Sequence, residues 1–152
     1  MGQLRARADR ERGSGVNPPV RMLVHWQGGR NFDAGREGRP TIRIDGDGKT
    51  GPSPPDVLVC ALATCVSVDV VDILAKRRTP VESYHVEAIG ERVDTIPRRF
   101  KHVTLNVSIE GKGIERVQAE RAIDLALNKY CSVKDSLDPE LPVVWNLTLN
   151  GE

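Results

Sequence analysis

The stretch GPSPPDVLVCALATCVSVDVVDILAKRR, residues 51–78, dominates the pattern of this chain. Ser53 is a good N-cap, Pro54 suits the first helical position, and Asp56 stands three residues after Ser53, as a capping box requires. From Val57 to Ala75 nearly every residue is apolar or small. The pattern predicts a long helix that is buried on most of its sides.

A membrane-spanning helix is the rival interpretation of the same stretch. Asp69 and Asp72 lie inside it, and each aspartate costs about 2.5 to 3.5 kcal/mol at the centre of a bilayer. The capped start marked by proline is more typical of a helix in a soluble protein. We therefore predict the central helix of a soluble domain, with no membrane as a partner.

Composition limits the class of protein. The chain has 152 residues, enough for one domain with a core, and a net charge of +1, which gives no global field for nucleic acid. We predict a disordered, arginine-rich arm over residues 1–19 and a single domain over residues 20–152. The arm lacks the apolar run of a signal peptide, and the three cysteines are an odd number. These features favour the cytoplasm, where thiols stay reduced.

Alternation and helical spacing predict the remaining elements. They are strands at 20–26, from 31 onward and at 41–45, a hairpin of strands 83–93 and 99–110, a helix at 114–130, a short helix after Cys131, and a strand at 143–149. A slip between Phe100 and Val103 predicts a bulge. The order βββ-α-ββ-α(α)-β is not a strict alternation, so we predict an α+β fold with antiparallel sheets.

Few residues offer chemistry. The chain has no Gly-rich phosphate loop, no zinc-type cysteine or histidine spacing and no Ser-His-Asp signature, so we predict no cofactor and no metal. The candidates are Cys65, in the middle of the apolar helix, and Cys131, where one helix ends and another begins. Each is either a small buried hydrophobe or a member of a redox pair. Cys60 lies about 140° around the helix from Cys65, so we assign it to the core.

Two segments carry a family resemblance. GPSPPDVLVCALATCVSVDVVDILAKRR, followed by RRFKHVTLNVSIEG and ERAIDLALNKYCSV, resembles the OsmC/Ohr family of osmotically inducible and organic-hydroperoxide-resistance proteins. The similarity runs from about Val20 to Leu149. It is strongest for the subgroup that has G-x-S-P-x-[ED]-L at the start of the cysteine helix and KYCSV at the second cysteine.

The resemblance implies an intertwined homodimer that reduces hydroperoxides with thiols. Cys65 matches the peroxidatic cysteine of the family and Cys131 its resolving cysteine, and a small dithiol or a lipoyl group re-reduces their disulfide. Arg30, in Gly28-Gly29-Arg30, resembles the arginine that stabilises the thiolate. Asp56 resembles the acidic residue that holds this arginine.

Helix geometry limits how Asp56 can act. Asp56 and Cys65 are nine residues apart, which is about 13.5 Å along a helix and about 180° around it. If Asp56 and Arg30 act on the thiol, the copies that do so must come from the other subunit. The alternative is that Asp56 only caps its helix and Arg30 is a solvated loop residue.

Two functions remain open from the sequence. The first is a Cys65/Cys131 peroxidase acting on organic hydroperoxides and hydrogen peroxide in oxidative-stress defence. The second is a stress-related protein that binds a small molecule or lipid in the apolar dimer cleft, with little or no turnover.

Overall fold

The structure of the protein, a computed structural model, describes residues 17–152. Residues 1–16 of the predicted arm lie outside the described residues. Contacts divide the chain into two compact units, one that ends at Gly51 and one that spans Pro52–Glu152. The single domain expected over residues 20–152 stays a prediction.

The first unit is a three-stranded antiparallel meander. Its strands are β1 (Leu23–Trp26), β2 (Asn31–Gly35) and β3 (Ile42–Asp45), with β2 in the centre. The predicted first strand starts three residues too early, at Val20. Leu23 pairs with Gly35, the last residue of β2, so residues before Leu23 have no partner strand to bond.

The loop after β3 is organised by a buried carboxylate. Asp45 is 3% exposed, and it accepts hydrogen bonds from the backbone N–H groups of Asp47 (2.8 Å), Lys49 (3.1 Å) and Thr50 (2.9 Å). The Thr50 hydroxyl adds a fourth at 3.0 Å. These hydrogen bonds stabilise the ionised form and lower the pKa of Asp45 from 3.8 to about 2.

The second unit combines a long helix, a second sheet and a helical connection. Its elements are α1 (Pro54–Lys76), β4 (Ser83–Arg92), β5 (Phe100–Glu110), α2 (Arg116–Leu125), a π-helical turn (Ala126–Tyr130), α3 (Ser132–Asp135) and β6 (Val143–Leu149). The α+β class and the element order are as predicted. The bulge is also confirmed: Arg92 pairs with Phe100 and Glu91 with His102, which leaves Lys101 as the extra residue.

The prediction of purely antiparallel sheets is wrong for one pair. β4 and β5 are antiparallel, but β6 lies parallel to β5, from the pair Val103–Val143 to the pair Ile109–Leu149. The helical segment between β5 and β6 crosses over and returns the chain to the same end of the sheet, as a parallel connection requires.

One stripe of α1 forms the core of the second unit. Leu62, Val66, Val70 and Leu74 recur every fourth residue and are at most 1% exposed. They join one cluster with the inward side chains of β5 and the buried residues of α2. Fully burying each such side chain is worth about 1.5 to 3 kcal/mol.

The rest of α1 is more open than the sequence predicted. Leu58, Val68 and Val71 are 41%, 56% and 37% exposed, so within one chain the helix is not buried on most of its sides. By length and composition alone α1 would also pass for a membrane-spanning helix. Its buried stripe makes it the core helix of this unit instead.

The Asp45 loop predicts a specific acid sensitivity. Because the folded pKa of Asp45 lies below its ordinary value, its stabilisation is complete above pH 3.8 and is lost as the pH falls to about 2. Asp45→Asn should lower the thermal unfolding midpoint at pH 7. Between pH 3.8 and about 2, the midpoint of this variant should fall less steeply than that of the parent protein. Thermal denaturation followed by circular dichroism at several pH values measures both. Parallel curves for the two proteins would contradict the assignment.

Candidate active site

Cys65 lies at the edge of the core. It sits in the middle of α1, directly before the buried Val66, and its side chain packs against the core cluster while remaining half-buried. A thiol in this position is held firmly by its helix and is still reachable. Reactive cysteines need both properties.

Cys131 is placed by an irregularity in the second helix. The predicted helix 114–130 begins as α2 and ends as the π-helical turn Ala126–Tyr130. Cys131 then takes an extended conformation (φ −71°, ψ 98°) and becomes the N-cap of α3. Its sulfur accepts the Lys134 N–H at 3.3 Å, and the residue is only 4% exposed. Single π turns inside helices occur frequently at functional sites.

The two thiols are brought together although they are 66 positions apart, from residue 65 to residue 131. Both are free, and the two side chains lie near enough for each to shift the pKa of the other. The contact is made because α1 packs against the π-helical turn and α3. Two thiols in contact can form a disulfide with little backbone movement.

Several donors converge on the Cys65 sulfur. Burial opposes ionisation, but the N–H of Val133, the Cys131 thiol, and the hydroxyl and N–H of Ser132 outweigh it and lower the pKa of Cys65 below 9.0. The N–H donors belong to the first turn of α3. A thiolate is the nucleophilic form of cysteine, so the site favours reaction at Cys65.

The pKa of Cys131 shifts in the opposite direction. Burial raises its pKa, the Lys134 N–H partly offsets this, and the neighbouring Cys65 raises it further. Of the two thiols, Cys65 therefore loses its proton more readily than Cys131. This asymmetry gives the two sulfurs different chemical roles.

The sequence did not reveal the donors at Ser132, Val133 and Lys134. They act mainly through backbone N–H groups, which no residue type signals. The predicted short helix after Cys131 is confirmed as α3, and its N-cap is Cys131 itself. A cysteine directly before a predicted helix start was the available signal.

Cys60 is not in the core. It is exposed on α1, and it lines a cavity of about 320 Å³ together with Asp56 and Phe100. The core stripe runs through Leu62 and Val66, and Cys60 faces away from it. An apolar stretch without a clear polar face gave no means of choosing the buried side.

Asp56 caps its own helix. Its Oδ2 accepts the Ser53 N–H at 2.8 Å and the Ser53 hydroxyl at 2.6 Å. The hydroxyl and then the N–H lower the pKa of Asp56, and the charge of Arg92 adds to this effect. The capping prediction is therefore confirmed, and a role for Asp56 at a thiol stays a prediction.

Arg30 is held within the first unit by the loop that Asp45 organises. Its Nε lies 2.9 Å from Asp47 Oδ1, and its Nη2 donates to the Gly46 carbonyl at 3.2 Å. A Cβ at position 46 would lie 2.8 Å from Arg30 Nε, so Gly46 leaves room for the arginine side chain in this orientation. Arg30 thus has a defined orientation, and its action on Cys65 stays a prediction.

Two further cavities border the thiol region of the second unit. One, of about 510 Å³, is lined by the π-helical turn, Cys131, α3 and the loop before β6. The other, of about 440 Å³, is mostly apolar and lies between the start of α1, Phe100 and Leu141, with Arg98 and Arg99 also in its lining. The first of these cavities includes Cys131 in its lining, and the second includes neither Cys65 nor Cys131.

The sequence matches known proteins across most of its length. The family model described as "OsmC-like protein" matches residues 46–146. Protein YhfA of Escherichia coli K12 is 35% identical over 115 residues, which cover 75% of this chain and 86% of YhfA.

Solved structures share the fold. An OsmC-like protein from Mycoplasma pneumoniae superposes with a TM-score of 0.75 at 15% identity, over 88% of this chain and 99% of the other. The organic hydroperoxide resistance protein OhrB of Bacillus subtilis gives a TM-score of 0.56 at 16% identity, over 84% and 96% of the two chains. Taken with the family match, these results show that the chain belongs to the OsmC-like protein family.

Proposed function

We propose that this protein is a thiol peroxidase that reduces organic hydroperoxides through Cys65 and Cys131. The observation that carries the proposal is the asymmetric thiol pair, in which backbone N–H groups of α3 lower the pKa of Cys65 while burial raises the pKa of the neighbouring Cys131. The OsmC-like family supports the proposal because it includes proteins named for organic hydroperoxide resistance.

The chemistry follows from the two roles. The Cys65 thiolate attacks the outer oxygen of the hydroperoxide, the O–O bond breaks, and the alcohol leaves after taking a proton. Cys65 is then a sulfenic acid. Cys131 attacks its sulfur, water leaves, and a disulfide forms. A small dithiol or a lipoyl group supplies two electrons and restores both thiols.

A homodimer completes the proposal. The side of α1 that carries Leu58, Val68 and Val71 is apolar and exposed in a single chain, which favours cover by a second copy. Obligate dimers bury well over about 2,000 Å². Arg30 and Asp56 of the partner would then act at Cys65, with Arg30 stabilising the thiolate and Asp56 orienting Arg30.

The proposed location is the cytoplasm. All three cysteines are free thiols, and the cytoplasm keeps thiols reduced.

A binding protein with little turnover is the second candidate. The observation that favours it is the apolar cavity of about 440 Å³, whose lining includes Leu58, Leu141 and the two arginines Arg98 and Arg99. Such a cavity suits an amphipathic molecule with an acidic group. A peroxide-consumption assay with dithiothreitol separates the two functions: turnover supports the peroxidase, and tight ligand retention without turnover supports the binding protein.

The thiol roles predict different defects for two variants. Cys65→Ser should lower peroxide turnover by roughly a thousandfold or more, because the nucleophile is gone. Cys131→Ser should keep the first attack but let Cys65 over-oxidise to sulfinic acid. Mass spectrometry of peptides follows both, after one equivalent of peroxide for the disulfide and after an excess of peroxide for the sulfinic acid. The matched control is Cys60→Ser, which should behave as the parent protein; a disulfide that includes Cys60 would contradict the assignment.

The lowered pKa of Cys65 predicts its pH profile. The alkylation rate should rise with pH through a midpoint below 9.0 and level off above it, because only the thiolate reacts. Iodoacetamide labelling, resolved by peptide mass spectrometry, measures the midpoint for Cys65 alone. In the denatured protein the α3 donors are lost, and the midpoint should return to about 9.0. Equal midpoints in the two states would rule out activation by the fold.

The dimer proposal predicts complementation between two inactive variants. In an Arg30→Ala/Cys65→Ser heterodimer, the intact Cys65 of one subunit meets the intact Arg30 of the other if the site is shared. Random mixing should then restore about a quarter of all sites. A peroxide assay on subunits mixed under exchange conditions tests this, with light scattering to measure the dimer. If the mixture regains no peroxide turnover, Arg30 does not act on the Cys65 of the other subunit. A monomer at micromolar concentration in light scattering would contradict the dimer.

A further inference from the structure

The cavity of about 510 Å³ includes Cys131 in its lining but not Cys65. Its walls come from the π-helical turn, α3 and the loop that leads into β6. Among the described residues, none from α1 lines it, although α1 carries Cys65. Cys131 therefore has the partner thiol on one side and open space on another.

This arrangement matters for the reduction of a Cys65–Cys131 disulfide. In thiol–disulfide exchange a thiolate attacks one sulfur while the other departs as a thiolate, so the attacker must approach along the far side of the sulfur that it attacks. Cys131 lines the cavity, so a thiol inside the cavity can reach this sulfur. Cys65 does not line it.

The leaving ability of the two sulfurs also favours attack at Cys131. The sulfur with the lower pKa departs faster, and the fold lowers the pKa of Cys65 and raises that of Cys131. The N–H groups of Ser132 and Val133 that stabilise the Cys65 thiolate are in place to receive it as it departs. Attack at Cys131 is thus favoured by both geometry and leaving ability.

We propose that this cavity is the entrance for a low-molecular-weight dithiol reductant, and that Cys131 is the sulfur which the reductant attacks. The proposal rests on the proposed function only in that it needs the Cys65–Cys131 disulfide. Cys131 is 4% exposed, so a thiol on a broad protein surface cannot reach it, whereas a small molecule inside the cavity can. The cavity has the size of a small-molecule site, and Leu127, Leu141 and Val143 offer apolar contact to a methylene chain.

Two successive thiol–disulfide exchanges would reduce the Cys65–Cys131 disulfide. One thiol of the reductant loses its proton to solvent, and its sulfur attacks Cys131. The Cys65–Cys131 bond breaks, Cys65 leaves as a thiolate, and a mixed disulfide joins Cys131 to the reductant. The second thiolate of the reductant then attacks the reductant sulfur in that bond. This releases Cys131, which takes up a proton, and the reductant leaves as a cyclic disulfide.

Trapping the mixed disulfide tests which sulfur is attacked. The disulfide is first formed with diamide, so the test does not depend on peroxide turnover. The protein is then mixed with 2-mercaptoethanol, a monothiol that stalls after the first exchange, and quenched in acid. Peptide mass spectrometry after alkylation of free thiols should find the monothiol on Cys131 and the alkyl group on Cys65.

Narrowing the cavity tests the entrance. Asp135 is exposed and lines the cavity, whereas the adjacent Ser136 is exposed and does not line it. Asp135→Trp should slow the reduction of the diamide-formed disulfide by dithiothreitol about 10-fold or more, because the attacking thiol loses access. Ser136→Trp should leave it unchanged. In both variants the alkylation of reduced Cys65 by iodoacetamide should keep the parent rate, which shows that the thiol pair is intact.

Each alternative result overturns the proposal. A monothiol adduct on Cys65 would reverse the direction of attack, and an unchanged rate in Asp135→Trp would remove the cavity as the entrance. Failure of diamide to form the disulfide would leave the reductant nothing to attack. Efficient reduction by a thioredoxin-type protein, with no reduction by dithiothreitol, would assign the reductant to another class. A protein that passes these tests but does not consume peroxide would refute the proposed function alone.

Discussion

The contact between the first turn of α3 and the Cys65 sulfur governs the chemistry of the second unit. Ser132 and Val133 present N–H groups to a sulfur that comes from another helix, and burial alone would have raised the pKa of that sulfur. The same turn uses its next N–H, from Lys134, to hold Cys131. One short helix therefore fixes both thiols and gives them opposite tendencies to ionise. Such N–H groups are fixed by the fold and need no reorganisation when charge appears on the sulfur.

The long helix has two separate tasks. Its stripe through Leu62, Val66 and Val70 fills the core at almost no exposure, and this rigid packing is what allows Cys65 to be held at a defined place. Its other side leaves apolar residues in solvent. The second copy proposed above would cover these residues.

Prediction from sequence succeeded where residue types carry the signal. Capping at Ser53 and Asp56, the bulge at Lys101 and the last strand at 143–149 all rest on side-chain chemistry or alternation, and the structure confirms them. Prediction failed where the outcome depends on how the elements pack against one another and not on residue type. The exposure of Cys60 depends on which side of an evenly apolar helix meets the sheet, and the donors to Cys65 are backbone groups that any residue supplies. The direction of β6 depends on how a helical connection returns to the sheet, which alternation within a strand does not encode.

The parallel pairing of β5 and β6 also determines when the site forms during synthesis and folding. Cys131 lies on the crossover between these strands, and the crossover is anchored at its far end only when β6 has paired. Contacts between strands so distant in sequence form late, because the closure of a long loop must come first. On the ribosome, Cys65 emerges long before β6 does. The nascent chain therefore carries Cys65 without its activating donors, and the pKa of Cys65 is lowered only after β6 has been made and has paired with β5.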